Sequence, residues 1–327
     1  MPVLIERCAA ERDVVCGGFL GWDALAGLKR LGLDAAALGA KPIRRLRLVA
    51  GENIVEADLP GAGAALSRRR LDAALLLMAE EAGAAVLRGR AARALEGRRV
   101  RLDDGEELEA DALFLATGKH ELRGAAREIG AWPVSVGLRA ALPATKVLNE
   151  RLAGTIELHL YDGGYAGLLL EEDGAVNLCL TVSRERMAGG TDALIAALLA
   201  QAPLLAERIG TPPAAWDAVA GVPYGWRART TRPGCYRIGD QAAVIASLAG
   251  DGIAVALASG AAAAHACLAD ESAQDYQRAF ARRSARPVRI AEGLRHMAAR
   301  PLRRSLMMGL AKVPGLAKAA ARLTRIG

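Results

Sequence analysis

The sequence predicts an α/β fold in which a dinucleotide-type half is interrupted by an antiparallel sheet and followed by basic helices. Three observations carry this. Short apolar runs ending at Glu6, at Thr117-Gly118 and at Gly239-Asp240 read as buried parallel strands. From Pro133 to about Tyr224, apolar segments separated by turn residues suit an antiparallel sheet with one covered face. Beyond Arg282 the chain is strongly cationic and helical in pattern. The expected divisions are 1–130 and 229–280 for the two parts of the nucleotide-type domain, 131–228 for the inserted sheet and 281–327 for a basic helical tail.

In chain order, Val3-Leu4-Ile5 closed by Glu6-Arg7 forms the first strand, and Cys16-Gly17-Gly18 a flexible loop. Trp22, Leu25, Leu28 and Leu31 recur at helical spacing up to Gly32. Ile43 to Ala50 and Asn53 to Leu59 form a hairpin around Gly51-Glu52. Ser67 caps a helix from Arg68 to Glu81, with Leu71, Leu75 and Met78 as its apolar stripe and Gly83 as its stop. A strand begins at Val86, and Asp104-Gly105 turns a second hairpin between Val100–Leu102 and Glu107–Glu109. Ala112 to Ala116 is a further strand. In the insert, Ile156 to Tyr161, Gly167 to Leu170 and Val176 to Val182 are strands, and Asp192 to Gln201 is a helix ended by Pro203. Tyr236 to Ile238 returns to the nucleotide-type pattern.

Composition excludes several classes. Hydrophobic residues at 52% and charged residues at 24% belong to a folded chain. The five cysteines form no CxxC pair and the four histidines have no ligand spacing, so neither a disulfide framework nor a metal site is expected, and a reducing cytoplasm is the default. No signal-peptide pattern opens the chain. The most apolar stretch, Ile253 to Leu268, is short for a membrane span. From Arg282 onward twelve Lys/Arg face Glu292 alone, a charge of +11 that leaves −4 for the rest of the chain. No nucleic-acid reader motif accompanies these cations, so no nucleic-acid partner is expected. The segments Leu302-Arg303-Arg304-Ser305-Leu306-Met307-Met308-Gly309-Leu310 and Leu316-Ala317-Lys318 mix cations with apolar residues, a pattern that suits peripheral contact with an anionic membrane.

Several motifs fall in an order that resembles FAD-dependent oxidoreductases of the para-hydroxybenzoate-hydroxylase type, in particular the geranylgeranyl-reductase-like branch. Glu6, with Arg7 after it, ends the strand whose carboxylate would meet an adenosine ribose. Cys16-Gly17-Gly18 is similar to the Cys-Gly loop that lies near the flavin ring, and Arg68-x-x-Leu71-Asp72 to the signature whose arginine opens a helix beside the cofactor. Thr117-Gly118 resembles a strand end that passes the cofactor. Gly239-Asp240, followed by Gly250-Asp251-Gly252-Ile253, resembles the Gly-Asp box and its helix. There Asp240 would accept a ribityl hydroxyl, and N–H groups at the helix start would stabilise negative charge on reduced flavin.

The resemblance implies a Rossmann-like FAD-binding domain that is N-terminally incomplete, since no GxGxxG loop follows a strand. A start codon placed too late accounts for this better than a variant that binds FAD poorly. Ala246-Ser247 also replaces the Asp-Pro that many members carry. The implied activity is an FAD-dependent oxidoreductase in which NAD(P)H reduces the flavin. The flavin then hydroxylates, or saturates a double bond in, an apolar or aromatic small molecule. The rival reading is a truncated flavoprotein remnant that binds a ligand without catalysis. Tyr161, Tyr165 and Trp226 are expected to line the substrate side, His159 to lie on the sheet surface, and no acid or base is assigned.

Overall fold

The computed structural model describes residues 1–326. Its strands are β1 (Val3–Glu6), β2 (Phe19–Leu20), β3 (Lys41–Ala50), β4 (Asn53–Ala65), β5 (Ala85–Arg88), β6 (Ala92–Glu96), β7 (Arg99–Leu102), β8 (Glu107–Glu109), β9 (Leu113–Leu115), β10 (Ser135–Leu142), β11 (Thr155–Tyr161), β12 (Gly164–Leu170), β13 (Val176–Ser183), β14 (Asp217–Val222) and β15 (Cys235–Arg237). Its helices are α1 (Trp22–Arg30), α2 (Arg68–Glu81), α3 (Lys146–Leu152), α4 (Gly190–Gln201), α5 (Pro203–Ile209), α6 (Gly252–Leu268), α7 (Ala273–Arg283), α8 (Ala285–Ala298), α9 (Pro301–Ala311) and α10 (Leu316–Leu323).

The nucleotide-type half is parallel, as the sequence predicts. β1 pairs with β5, and β15 with β9, each in parallel register. β6, β7 and β8 form a small antiparallel sheet. The apolar runs are less enclosed than their sequence suggests: Val3 and Phe114 are exposed. Helix α2 begins where expected because Ser67 accepts the Arg70 N–H with its hydroxyl. The same hydroxyl donates to Glu172 at 2.6 Å, which ties the helix start to the sheet half.

The second layer is an eight-stranded mixed sheet in the order β14-β10-β13-β12-β11-β3-β4-β2. All its pairings are antiparallel except β11 with β3. The β3–β4 hairpin, which the sequence reading assigned to the nucleotide part, thus extends the inserted sheet. Side chains alternate between the faces of a strand. On β11, Glu157, His159 and Tyr161 therefore turn toward α3, α4 and α5, while Ile156 and Leu158 turn to the opposite face. On the helix side, Glu157 accepts hydrogen bonds from Arg47 at 2.6 Å and Arg208 at 3.0 Å, and lies 2.7 Å from His159 Nε2. His159 is thus buried in a charge network rather than lying on the sheet surface.

The main core joins α1, α6, α7 and α8 to the segment around Tyr224–Ala246. The alanines of α6 let these helices approach closely. Helices α9 and α10 then return across β3 and β4. The last turn brings Arg325 into an ion pair with buried Asp251 and within 4.0 Å of the Trp22 ring centroid.

Candidate active site

Between the parallel half and the open face of the large sheet lies a cavity of about 1660 Å³. One wall consists of strand ends and helix starts: Gly118 after β9, Gly239-Asp240 after β15, and the Ser247–Gly252 turn into α6. The opposite wall is the sheet face of Leu158, Tyr165, Gly167, Leu169, Cys179 and Thr181. Leu310 and Leu316 from the C-terminal helices complete an apolar side. Burial pushes the Cys179 thiol up to about 12, so it stays an uncharged wall residue.

The start of α6 is chemically distinctive. Asp251 stands at its N-cap, yet its side chain caps nothing because Arg325 takes the carboxylate. The orphan N–H groups of the first turn thus stay uncapped by a side chain, with Gly250, Gly252 and Ile253 lining the cavity. Gly250 is left-handed at φ +72°, and a Cβ there would meet Phe19 Cδ1 at 2.7 Å. Only glycine therefore lets the turn pass this close to Phe19, at the end of the Cys16–Gly18 loop. Nearby, Lys119 Nζ lies 3.2 Å from Asp240 Oδ2, and the carboxylate holds the ammonium well above its usual range despite burial.

Polar groups converge at one further point. Ser247 Oγ accepts from the Tyr165 hydroxyl and lies 2.8 Å from the Tyr224 hydroxyl and 3.4 Å from Thr181 Oγ1. Thr181 Oγ1 is 3.3 Å from the Tyr224 hydroxyl. Burial raises both tyrosines, so their hydroxyls remain protonated at neutral pH. The guanidinium of Arg295, held by Glu292, stacks over the Tyr224 ring at 5.7 Å. Four hydroxyls, from β12, β13, the turn after β14 and the turn before α6, therefore form one connected chain at the cavity wall.

No family model matches the sequence. Among solved structures, the chain superposes on the flavin-dependent brominase Bmp2 with TM-score 0.78 at 16% identity, over 98% of this chain and 86% of that one. A geranylgeranyl bacteriochlorophyll reductase-like protein from Thermoplasma acidophilum gives TM-score 0.77 at 17% identity, over 98% and 89%. PqsL of P. aeruginosa, in complex with 2-aminobenzoylacetate, gives 0.66 at 16%, over 97% and 92%. The fold is that of FAD-binding flavoproteins. In sequence, the chain is 31% identical over 196 residues to the menaquinone reductase of Mycobacterium tuberculosis (strain CDC 1551 / Oshkosh), covering 54% of this chain and 48% of that protein. A second strain, H37Rv, gives the same figures, so the chain spans about half the length of the curated relatives it matches.

Within this flavoprotein fold, the residues singled out in the sequence fall into two groups. Cys16, Gly17, Arg68, Gly118, Gly239, Asp240, Gly250, Gly252, Ile253 and Tyr165 all line the one cavity. Arg68 does so while paired two-pronged with Asp72, at 2.8 and 2.7 Å. The others do not line it. Gly18 is turned behind the loop, where a Cβ would lie 2.8 Å from Glu171 Oε1. Thr117 donates its hydroxyl to the His120 carbonyl. Asp251 is wholly buried against Arg325. The Glu6 carboxylate accepts the Cys8 N–H at 2.8 Å, and Arg7 is exposed beside it. Tyr161 and Trp226 are corrections. Tyr161 pairs with Gly164 across the β11–β12 turn, which places it on the helix side, where its hydroxyl donates to the Tyr165 carbonyl at 2.8 Å. Trp226 is packed in the main core with its indole N–H directed at the Glu128 carbonyl.

The residues present fit a flavin. A Cβ added at Gly17, Gly118 or Gly252 would meet nothing within 4 Å, so three backbone segments border open space with no side chain in the way. Lys119, Thr181 and Tyr224 escaped sequence reasoning, and Ser247 entered it only in the Ala246-Ser247 pair that stands in place of Asp-Pro. Of the three that escaped, Lys119 left a signal, as the cation directly after the Ala116-Thr117-Gly118 strand end.

Proposed function

We propose that this chain is an FAD-dependent oxidoreductase that saturates a double bond in an apolar substrate, with NAD(P)H as the source of reducing equivalents. The carrying observation is the single cavity shared by the start of α6, Asp240 and an apolar wall interrupted by one hydroxyl chain. Similarity to a menaquinone reductase supports the reductive reading. Gly250 and Gly252 would present backbone N–H groups to the ring, Asp240 would accept a ribityl hydroxyl beside Lys119, and Cys16-Gly17 would border the ring. Bound FAD would supply hydride chemistry. The α6 dipole favours negative charge at its N-terminus. The hydroxyl chain of Tyr165, Ser247, Tyr224 and Thr181 holds protons at a wall the substrate would touch. The apolar sides exclude water and select for hydrocarbon.

The test begins with binding. FAD, and separately FMN, titrated into the purified chain should lose fluorescence on binding, and Asp240→Ala should weaken the effect. Failure of both flavins to bind refutes the proposal. Product mass then separates the reactions: a gain of two hydrogens under nitrogen supports reduction, and a gain of one oxygen atom in air indicates hydroxylation instead.

A further inference from the structure

Helices α9 and α10 carry an exposed surface that the proposed chemistry uses only at its edge, where Leu310 and Leu316 meet the cavity. Leu302, Leu306 and Leu310 recur every fourth residue and so form one stripe along α9. They face outward, with Leu302 88% exposed, while Met307 and Met308 on the inner side are buried. Val313, Leu316 and Leu323 are exposed as well. Large exposed apolar patches on a folded chain mark an interaction site. Arg300, Arg303, Lys312 and Arg322 are exposed among them, and none makes an ion pair among the described residues. No acidic residue follows Glu292. Leu310 and Leu316 are both exposed and both line the cavity, which places the patch at the cavity rim.

The two chemistries together select the occupant. A second copy docked on a two-fold axis would set these cations against themselves. An acidic protein would satisfy the charges but gives no reason for six exposed aliphatic side chains. A bilayer with anionic headgroups satisfies both: the headgroups take the cations, and the acyl region takes the leucines. None of the described helices is long and apolar enough to cross a membrane, so the contact would lie in the surface plane. We infer that the α9–α10 hairpin docks this protein on an anionic bilayer surface, with the cavity rim turned toward the lipid. The inference stands apart from the flavin reading.

Sedimentation of the full chain with vesicles tests it without flavin or turnover. Pelleting is expected with vesicles of phosphatidylcholine plus phosphatidylglycerol, and at least tenfold less with phosphatidylcholine alone. Arg300→Ala/Arg303→Ala should lower partitioning by about thirtyfold, at about 1 kcal/mol per cation. Leu302→Asp/Leu306→Asp should abolish pelleting while leaving far-UV dichroism and melting unchanged, because both positions are solvent-facing. Pelleting that ignores vesicle charge, or that the leucine variant retains, overturns the inference. So does a dimer in sedimentation velocity that the leucine variant converts to monomer, which would assign the patch to a second copy.

Discussion

Glu171 lies beneath the Cys16–Gly18 loop, buried, with Asn177 bridging its carboxylate and the Cys16 carbonyl at 2.9 and 3.0 Å. Burial, then the nearby Asp13, raises it to about 7; Arg139 opposes this, but that guanidinium is shared with Asp13 at 2.9 Å and Asp217 at 3.7 Å. An acid that holds its proton more tightly when folded costs stability as pH rises from its unfolded value toward its folded one. Glu171→Gln should therefore stabilise the protein at pH 8 relative to pH 5, by an amount of order 3 kcal/mol at about 1.4 kcal/mol per unit, read from urea melts at both pH values. Glu157 acts in the opposite sense. Burial raises it, but His159, Arg47 and Arg208 outweigh that and hold it at about 2. Its stability is present above the unfolded carboxylate range and is lost as pH falls toward 2, so Glu157→Gln should flatten the acid limb of the same melts. Neither behaviour is legible in the sequence, because each depends in part on groups brought from elsewhere in the chain, Asp13 and Arg139 to Glu171 and Arg47 and Arg208 to Glu157. The tyrosines were closer to legible: a two-residue turn at Asp162-Gly163 pairs Tyr161 with Gly164, and counting outward from it separates Tyr161 from Tyr165 by face.

At the scale of elements, the starts of α2 and α6, both beside the cavity, each carry one telling contact. Ser67→Ala removes the α2 cap and the hydroxyl donor to half-buried Glu172 Oε1, while the residue 67 N–H still serves Oε2; a loss of about 1–2 kcal/mol is expected in thermal melts. For α6 the contact is the Arg325 pair. Arg325→Ala would strand the Asp251 carboxylate in the interior, a loss of roughly 3–5 kcal/mol, whereas Arg325→Ala combined with Asp251→Asn should recover much of it. A result in which the double variant is as unstable as the single would assign the cost instead to packing against Trp22 and to the second pair with Asp23 at 3.5 Å. Some boundaries were readable, such as α2 at Arg68–Glu81, since glycines, the Ser67 cap and the leucine periods mark local backbone preferences; others were not, for β4 runs on to Ala65 rather than Leu59 and β12 begins at Gly164 rather than Gly167. The Arg325 pair was not, because nothing local announces that the last turn folds back onto the N-cap of α6.

Across the whole molecule, the hydroxyl chain joins the two halves. Tyr165 and Thr181 belong to the sheet, and Ser247 to the turn before α6, 82 residues from Tyr165. Tyr165→Phe and Tyr224→Phe should each cost about 1 kcal/mol, and their sum should exceed the double variant, because both share Ser247 as partner. The sequence separated the parallel half, with β1–β5 and β9–β15, from the antiparallel insert, but it did not show the parallel pairing of β11 with β3. It did not show that β3 and β4 join the insert, because strand partners across the sheet have no local signature. That junction bears on biosynthesis. Arg45 finds its ladder partner Thr155 only 110 residues later. A nascent chain emerging from the ribosome must carry the outer border of β3, with Leu46 and Leu48, unpaired until β11 appears. Ribosome-bound intermediates of intermediate length are therefore natural clients for chaperones that shield sticky strands.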